Sequence, residues 1–300
     1  MEKQVKQSLT PVQIWMLAAR PKTLPAAAAP VIAGTAVAMR DGVFSPGPAI
    51  AALLGALLIQ IGTNFANDVF DYKKGADTHE RLGPVRVTQA GLLKPAQVFA
   101  GMWIVFGLAV LVGFYLLAVA GWPVVWIGLF SILAGIAYTG GPFPLGYNGL
   151  GDIFVFIFFG LVAVCGTYYV QAGTVSAGAV WAAIPIGLLA TAILVVNNLR
   201  DIETDTKAGK KTLAVRFGAT AARIEYDLLI GGALLCPLLM WLTGNASFWV
   251  LLTWVSLYQA IPLIKLIYTE KGRALNAGLA GTGRMELEFA LLLAVGLVIG

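Results

Sequence analysis

The sequence predicts an all-α, polytopic membrane protein: a bundle of nine transmembrane helices with its N-terminus cytoplasmic and its C-terminus outside. Three observations predict it. Lys and Arg number 20 and Asp and Glu 15, together 12% of 300 residues, while 59% are hydrophobic and mean hydropathy is +0.83; an ordinary soluble domain is about a quarter charged. Eight long runs lack charge and a ninth carries only Glu288 near its start, and most approach the roughly 20 apolar residues a spanning helix needs. The basic residues then fall almost entirely on one side of the bundle those runs define.

The runs lie near 23–39, 47–66, 97–120, 122–139, 153–172, 177–196, 228–244, 246–264 and 287–300. Alternating segments of about ten residues, the mark of a membrane β-barrel, are absent. Residues 1–22 read as a cytoplasmic N-terminal segment and 23–300 as one transmembrane domain. The first run follows Pro21 and contains Pro25 and Pro30; lacking the positive-then-apolar layout of a secretory signal, it reads as a retained, bent helix. Met102, Trp103 and Phe106 in the third run and the aromatic stretch Phe154 to Phe159 in the fifth read as lipid-facing or packing residues. Cys165 and Cys236 fall inside apolar runs and suit packing rather than a disulfide or metal. His79 is the only histidine. The run centres carry no charge, which argues against a transporter, where ionisable groups sit near the midplane. Glu225, Asp227, Glu286 and Glu288 read as solvated at interfacial ends.

Sidedness follows from Lys and Arg, which are enriched in loops that stay cytoplasmic. Lys3, Lys6, Arg20 and Lys22 precede the first run; Lys73, Lys74, Arg81, Arg86 and Lys94 follow the second. Arg200, Lys207, Lys210, Lys211, Arg216 and Arg223 follow the sixth, and Lys265, Lys271, Arg273 and Arg284 surround the last loop. Only Arg40 lies opposite. A missed span would scatter this pattern. Anionic lipid of the inner membrane leaflet suffices as partner for a basic face, so the net charge of +5 requires no nucleic acid.

The acidic residues share that side, with Asp41 the exception, and they cluster. One cluster closes the second run over 64–77 and the other closes the sixth over 197–211. Residues three and four apart share a helix face, so Asn64, Asp68 and Asp71 form one stripe, Asn67 and Asp71 are paired, and Asn197, Asp201 and Asp205 form another. Like charges at a helix C-terminus repel each other and oppose the helix dipole. A solvated loop would explain one such cluster. Two, each beginning Asn-x-x-x-Asp at a constant offset of 133 residues and each followed by glycine and lysine, call for a cation.

Oxygen donors without His or Cys point to Mg²⁺, which binds through one or two carboxylates and leaves its other positions to water and phosphate. The ligand is then a phosphate ester. Lys73, Lys74, Arg81, Arg86, Lys207 and Lys211 are placed to contact its remaining oxygens. A diphosphate at a membrane surface with an apolar interior behind it implies an isoprenoid diphosphate.

At these residues the sequence resembles the UbiA superfamily of intramembrane prenyltransferases, and within it the 1,4-dihydroxy-2-naphthoate polyprenyltransferase branch of menaquinone synthesis. The resemblance rests on Asn64-x-x-Asn67-Asp68-x-x-Asp71 with Gly75 and Asp77, on 83–91, on 138–147, on Asp201-x-x-x-Asp205, and on Leu275-Asn276 with 279–282. It implies Asp68, Asp71, Asp201 and Asp205 as catalytic residues, with Asn67 and Asp77 joining them as Mg²⁺ ligands. Many members place the last Asp of the first motif where this chain has Gly75; this chain reaches Asp only at Asp77, in agreement with the naphthoate branch. Asn64, Asn67, Lys73, Arg81, Arg86, Tyr138, Asn197, Asn198 and Lys211 are the implied substrate contacts. The implied reaction joins a polyprenyl diphosphate to 1,4-dihydroxy-2-naphthoate with loss of CO₂. A different aromatic acceptor, such as 4-hydroxybenzoate, is the alternative within the superfamily.

Overall fold

The computed structural model describes residues 9–76 and 80–300; Lys3, Lys6, Asp77 and His79 lie outside the described residues. Helix follows helix, and no strand occurs among the described residues. The order is α1 (Pro11–Ala19), α2 (Leu24–Arg40), α3 (Pro46–Lys73), α4 (Pro95–Ala120), α5 (Pro123–Ala137), α6 (Gly151–Ala172), α7 (Ala177–Arg200), α8 (Ile202–Lys207), α9 (Leu213–Leu242), α10 (Phe248–Thr269) and α11 (Leu275–Ile299). Among the described residues seven stretches are long and apolar enough to cross a membrane: α1 with α2, α3, α4, α6, α7, α9 and α10. This is an integral membrane protein. Of the other two apolar runs, one forms α5, only 15 residues long, and the last lies in α11, which also holds Arg284, Glu286 and Glu288.

Charge ends an apolar run without ending a helix, and two helices are longer than their runs for that reason. α9 begins at Leu213, where the Thr212 hydroxyl caps the amide of Val215, and it bends at Gly218, whose φ of 84° suits glycine. α11 starts twelve residues before its run. Within the N-terminal segment, Pro11–Ala19 likewise packs on the bundle. α1 opens with a reciprocal Thr10–Gln13 capping box, and its Trp15 lies 5.5 Å from Phe65 against Gly101, where a Cβ would stand 2.7 Å from the indole.

The main core gathers α2, α6, α7, α9 and α11 around α7, with Ile186, Leu189, Tyr226, Met285 and Phe289 fully enclosed. α6 and α7 approach through Gly160 and Gly187: a Cβ on Gly160 would stand 2.8 Å from the Gly187 Cα. Small residues let membrane helices pack this closely. At the same place α6 carries a π-helical stretch, Phe156–Val162. A second core joins α1, α3 and α4 through Phe65, Met102 and Phe106, so Met102 and Phe106 pack inside while Trp103 is exposed.

Glu286 corrects the expectation of solvated acids and charge-free helix centres. It is 0% exposed, and neither carboxyl oxygen has a hydrogen-bond partner. Eleven residues into α11, about 16 Å along the helix, it shares the inward face of Thr282, Met285 and Phe289. Glu225 is half-buried. Asp227 accepts from the Tyr268 hydroxyl at 2.7 Å, and Glu288 from Tyr258 at 2.9 Å and from Gln259.

Candidate active site

α3 and α7 both finish at one end of the bundle, which brings the two Asn/Asp clusters together. The first is tied to its surroundings by nearly every polar atom. Asn64 donates to the Ala19 carbonyl at 3.0 Å and to the Thr23 hydroxyl at 2.9 Å, fastening α3 to the α1–α2 junction. Asn67 accepts from Thr139 at 2.9 Å. The buried Asp68 receives the amides of Val87 and Thr88 at 3.0 and 3.1 Å, one on each oxygen. It thereby shapes the 83–91 turn while keeping a second lone pair per oxygen. Asp71, also buried, pairs with Arg86 at 3.1 Å and accepts from Tyr147 at 2.7 Å.

The second cluster is organised by a residue read from sequence only as a marker of sidedness. Arg200, 3% exposed, lies on Asp201 through Nε at 2.8 Å and Nη2 at 2.5 Å. The same guanidinium donates to Asn197 and to Asn276, each at 2.8 Å. Asn276 then donates to the Leu82 carbonyl at 2.9 Å, linking α11 and the loop after α3 to the end of α7. Asn198 is buried beside them. Asp205, on α8, pairs with Lys210 at 3.1 Å. Burial raises its carboxyl pKa, Lys210 opposes that rise, and the nearby charges of Asp201 and Asp71 add to it.

The two clusters meet at the loop between α5 and α6. Tyr147 bonds Asp71 through its hydroxyl, while Lys74 and Lys210 each stand 4.8 Å from its ring centroid. Its carbonyl accepts from the Lys211 amide at 2.7 Å. Lys211 thus contributes backbone, with its side chain exposed. Lys73 turns onto Phe99 at 5.0 Å, leaving its neighbour Lys74 to face the site; burial lowers the Lys74 pKa. Arg81 bonds the Pro84 carbonyl at 3.0 Å within its own turn. Sequence reasoning missed Tyr147, Lys210 and Arg200 as site residues. A basic residue abutting an aspartate at the end of an apolar helix was the available signal for Arg200.

Behind the clusters lies a cavity of about 230 Å³. Its near end is Tyr138 and Thr63, one helical turn before Asn67; its far end is Leu116, Val124 and Val170. The lack of a side chain at Gly55 and Gly128 leaves the space open, and Phe154, Phe158 and Phe159 form one wall. These three aromatics therefore face the cavity, beyond the lipid-facing or packing roles expected of them. At the bundle's opposite end Arg40 pairs with Asp41 at 2.9 Å and donates to the Asn245 carbonyl at 2.7 Å, while Tyr168 donates to Asp41 at 2.9 Å.

Among the described residues no group of three or more His, Cys, Asp or Glu side chains could hold a metal ion. Mg²⁺ needs only one or two carboxylates when phosphate completes its shell. Asp71, Asp201 and Asp205, oxygen donors each balanced by Arg or Lys, fit that requirement chemically.

A model of the UbiA prenyltransferase family matches residues 27–279. The chain is 42% identical to the 1,4-dihydroxy-2-naphthoate octaprenyltransferase of Escherichia coli (strain K12), covering 87% of this chain and 85% of that one. It is 38% identical to the Haemophilus influenzae protein of the same name, covering 96% and 97%. A UbiA homologue from Archaeoglobus fulgidus solved with GPP and Mg²⁺ superposes with a TM-score of 0.68 at 16% identity, over 96% of this chain and all of that one. At that identity it establishes the fold. The chain belongs to the UbiA prenyltransferase family.

Proposed function

We propose that this protein transfers a polyprenyl group from its diphosphate to 1,4-dihydroxy-2-naphthoate, releasing diphosphate and CO₂ and giving demethylmenaquinol, the reduced form of demethylmenaquinone. The observation that carries this reading is the pair of Asn/Asp-rich helix ends, faced by Arg and Lys, at the mouth of an apolar cavity. The names of the 38–42% identical relatives supply the acceptor. In this reading the bundle spans the inner membrane nine times, with the clusters facing the cytoplasm.

Asn67, Asp68, Asp71, Asp201 and Asp205, with Asp77 as the remaining member of the set, would hold Mg²⁺, which offsets charge on a departing diphosphate when bound. Arg86, Lys74 and Lys210 bond phosphate oxygens. The cavity takes the tail and keeps water from the allylic carbon. As the allylic C–O bond breaks, its electron pair leaves with diphosphate and the ring carbon bearing the carboxylate forms the new C–C bond. The carboxylate departs as CO₂, returning its pair to the ring. Nothing in this sequence needs a histidine or cysteine nucleophile.

Membranes containing the chain, given labelled polyprenyl diphosphate with either dihydroxynaphthoate or 4-hydroxybenzoate, test the reading by product mass. Demethylmenaquinol, or the demethylmenaquinone that air oxidation makes from it, is expected from the naphthoate alone. Turnover only with 4-hydroxybenzoate would overturn the acceptor, and no prenylated product from either would overturn the reading.

A further inference from the structure

Tyr147 bonds or stacks with residues of both clusters. Its hydroxyl holds Asp71 at 2.7 Å, and its ring carries Lys74, from the end of α3, and Lys210, the partner of Asp205. The loop bearing it is fixed independently: the Lys211 amide bonds the Tyr147 carbonyl, and Arg216 bonds both Lys211 and Asn148 carbonyls at 2.9 Å. An ammonium over an aromatic face is attracted less strongly than one bonded to a phosphate oxygen. The ring is therefore a seat that a diphosphate can empty, while the hydroxyl fixes a carboxylate.

We infer that Tyr147 is a positioning residue for the prenyl diphosphate, its ring holding Lys74 and Lys210 ready for phosphate oxygens and its hydroxyl orienting Asp71. The inference rests on the prenyl transfer proposed above. Its two parts are separable by substitution. Tyr147→Phe keeps the ring and loses the hydroxyl, whereas Tyr147→Leu loses both.

The test uses the full chain in detergent and measures binding of geranyl S-thiolodiphosphate with Mg²⁺ by calorimetry, alongside kcat and KM for octaprenyl diphosphate. Tyr147→Phe should keep Kd within about twofold while kcat falls about tenfold and the Mg²⁺ concentration for half-maximal activity rises. Tyr147→Leu should weaken both Kd and KM about tenfold. Equal Kd in wild type and both variants, or equal weakening by Phe and Leu, would overturn the role of the ring; an unchanged kcat in Tyr147→Phe would overturn that of the hydroxyl. Should Tyr147→Leu fail to fold, Lys74→Gln with Lys210→Gln beside an intact Tyr147 makes the comparison: weaker Kd supports the seat and unchanged Kd overturns it. Wild type that binds no thiolodiphosphate would sink the prenyl-diphosphate reading itself, a result distinct from wild-type binding that the variants leave unaltered.

Discussion

Arg200 donates to Asn276 at 2.8 Å across 76 residues of sequence, and this bond ties the start of α11 to the second aspartate cluster. Because Asn276 also holds the Leu82 carbonyl, one guanidinium organises three separate stretches of chain around Asp201. Removing it leaves a largely buried carboxylate without its bidentate partner, a change that typically costs about 3–5 kcal/mol. Arg200→Ala should therefore lower the melting temperature in detergent. Arg200→Lys, which keeps the charge but not the fork, should retain more stability than activity. Equal stability of Arg200→Ala and wild type would contradict the arrangement.

The carboxylates should separate by position. Asp71→Asn and Asp205→Asn are expected to lower kcat about a hundredfold to a thousandfold, the scale for losing transition-state charge stabilisation. EDTA should abolish wild-type turnover and excess Mg²⁺ restore it. Persistent activity in EDTA is the outcome that would remove the metal.

Asp68 should behave differently from Asp71. Its oxygens hold two loop amides, so Asp68→Asn, with one acceptor replaced by a donor, should release the 83–91 turn as well as lower activity. Faster proteolysis of that turn in Asp68→Asn than in Asp71→Asn is the expected signature; identical cleavage rates would deny the anchor.

Cavity size should govern the tail. Gly128 lines the cavity, and a Cβ there meets nothing within 4 Å, so Gly128→Leu projects into open space without breaking a contact. KM for octaprenyl diphosphate should rise about tenfold, equivalent to ~1.4 kcal/mol, with geranyl diphosphate little affected. An equal effect on both would place the tail elsewhere.

Glu286 offers a test of opposite sign. A buried polar group without a partner costs about 1–3 kcal/mol, so Glu286→Leu should raise the melting temperature and leave turnover intact. A large loss of turnover in a stable Glu286→Leu protein would show that the carboxyl serves the reaction.

Much of this was legible in sequence because long charge-free runs and Asn/Asp spacing report directly on helices and on which faces they present. Charge patterning failed where a residue's partner is distant. Arg200 and Lys210 read as generic basic residues, since nothing local reveals that Asn276 or Tyr147 will meet them. Glu286 read as solvated because apolar runs were cut at charges, while the helix continued through them. The cavity was hidden for a different reason: glycine and alanine mark close packing and empty space alike, and only the facing helices decide which.

The π-helical stretch Phe156–Val162 bears on how this wall can change. A π turn amounts to an α-helix holding one residue too many, taken up locally, so deleting a single residue there would restore regular winding while the helix on either side keeps its faces. Phe158 or Phe159 would then be lost from the wall, while the residues beyond the stretch would keep their places. Insertions and deletions within these seven residues are therefore a route to reshaping the tail site that leaves both aspartate clusters untouched.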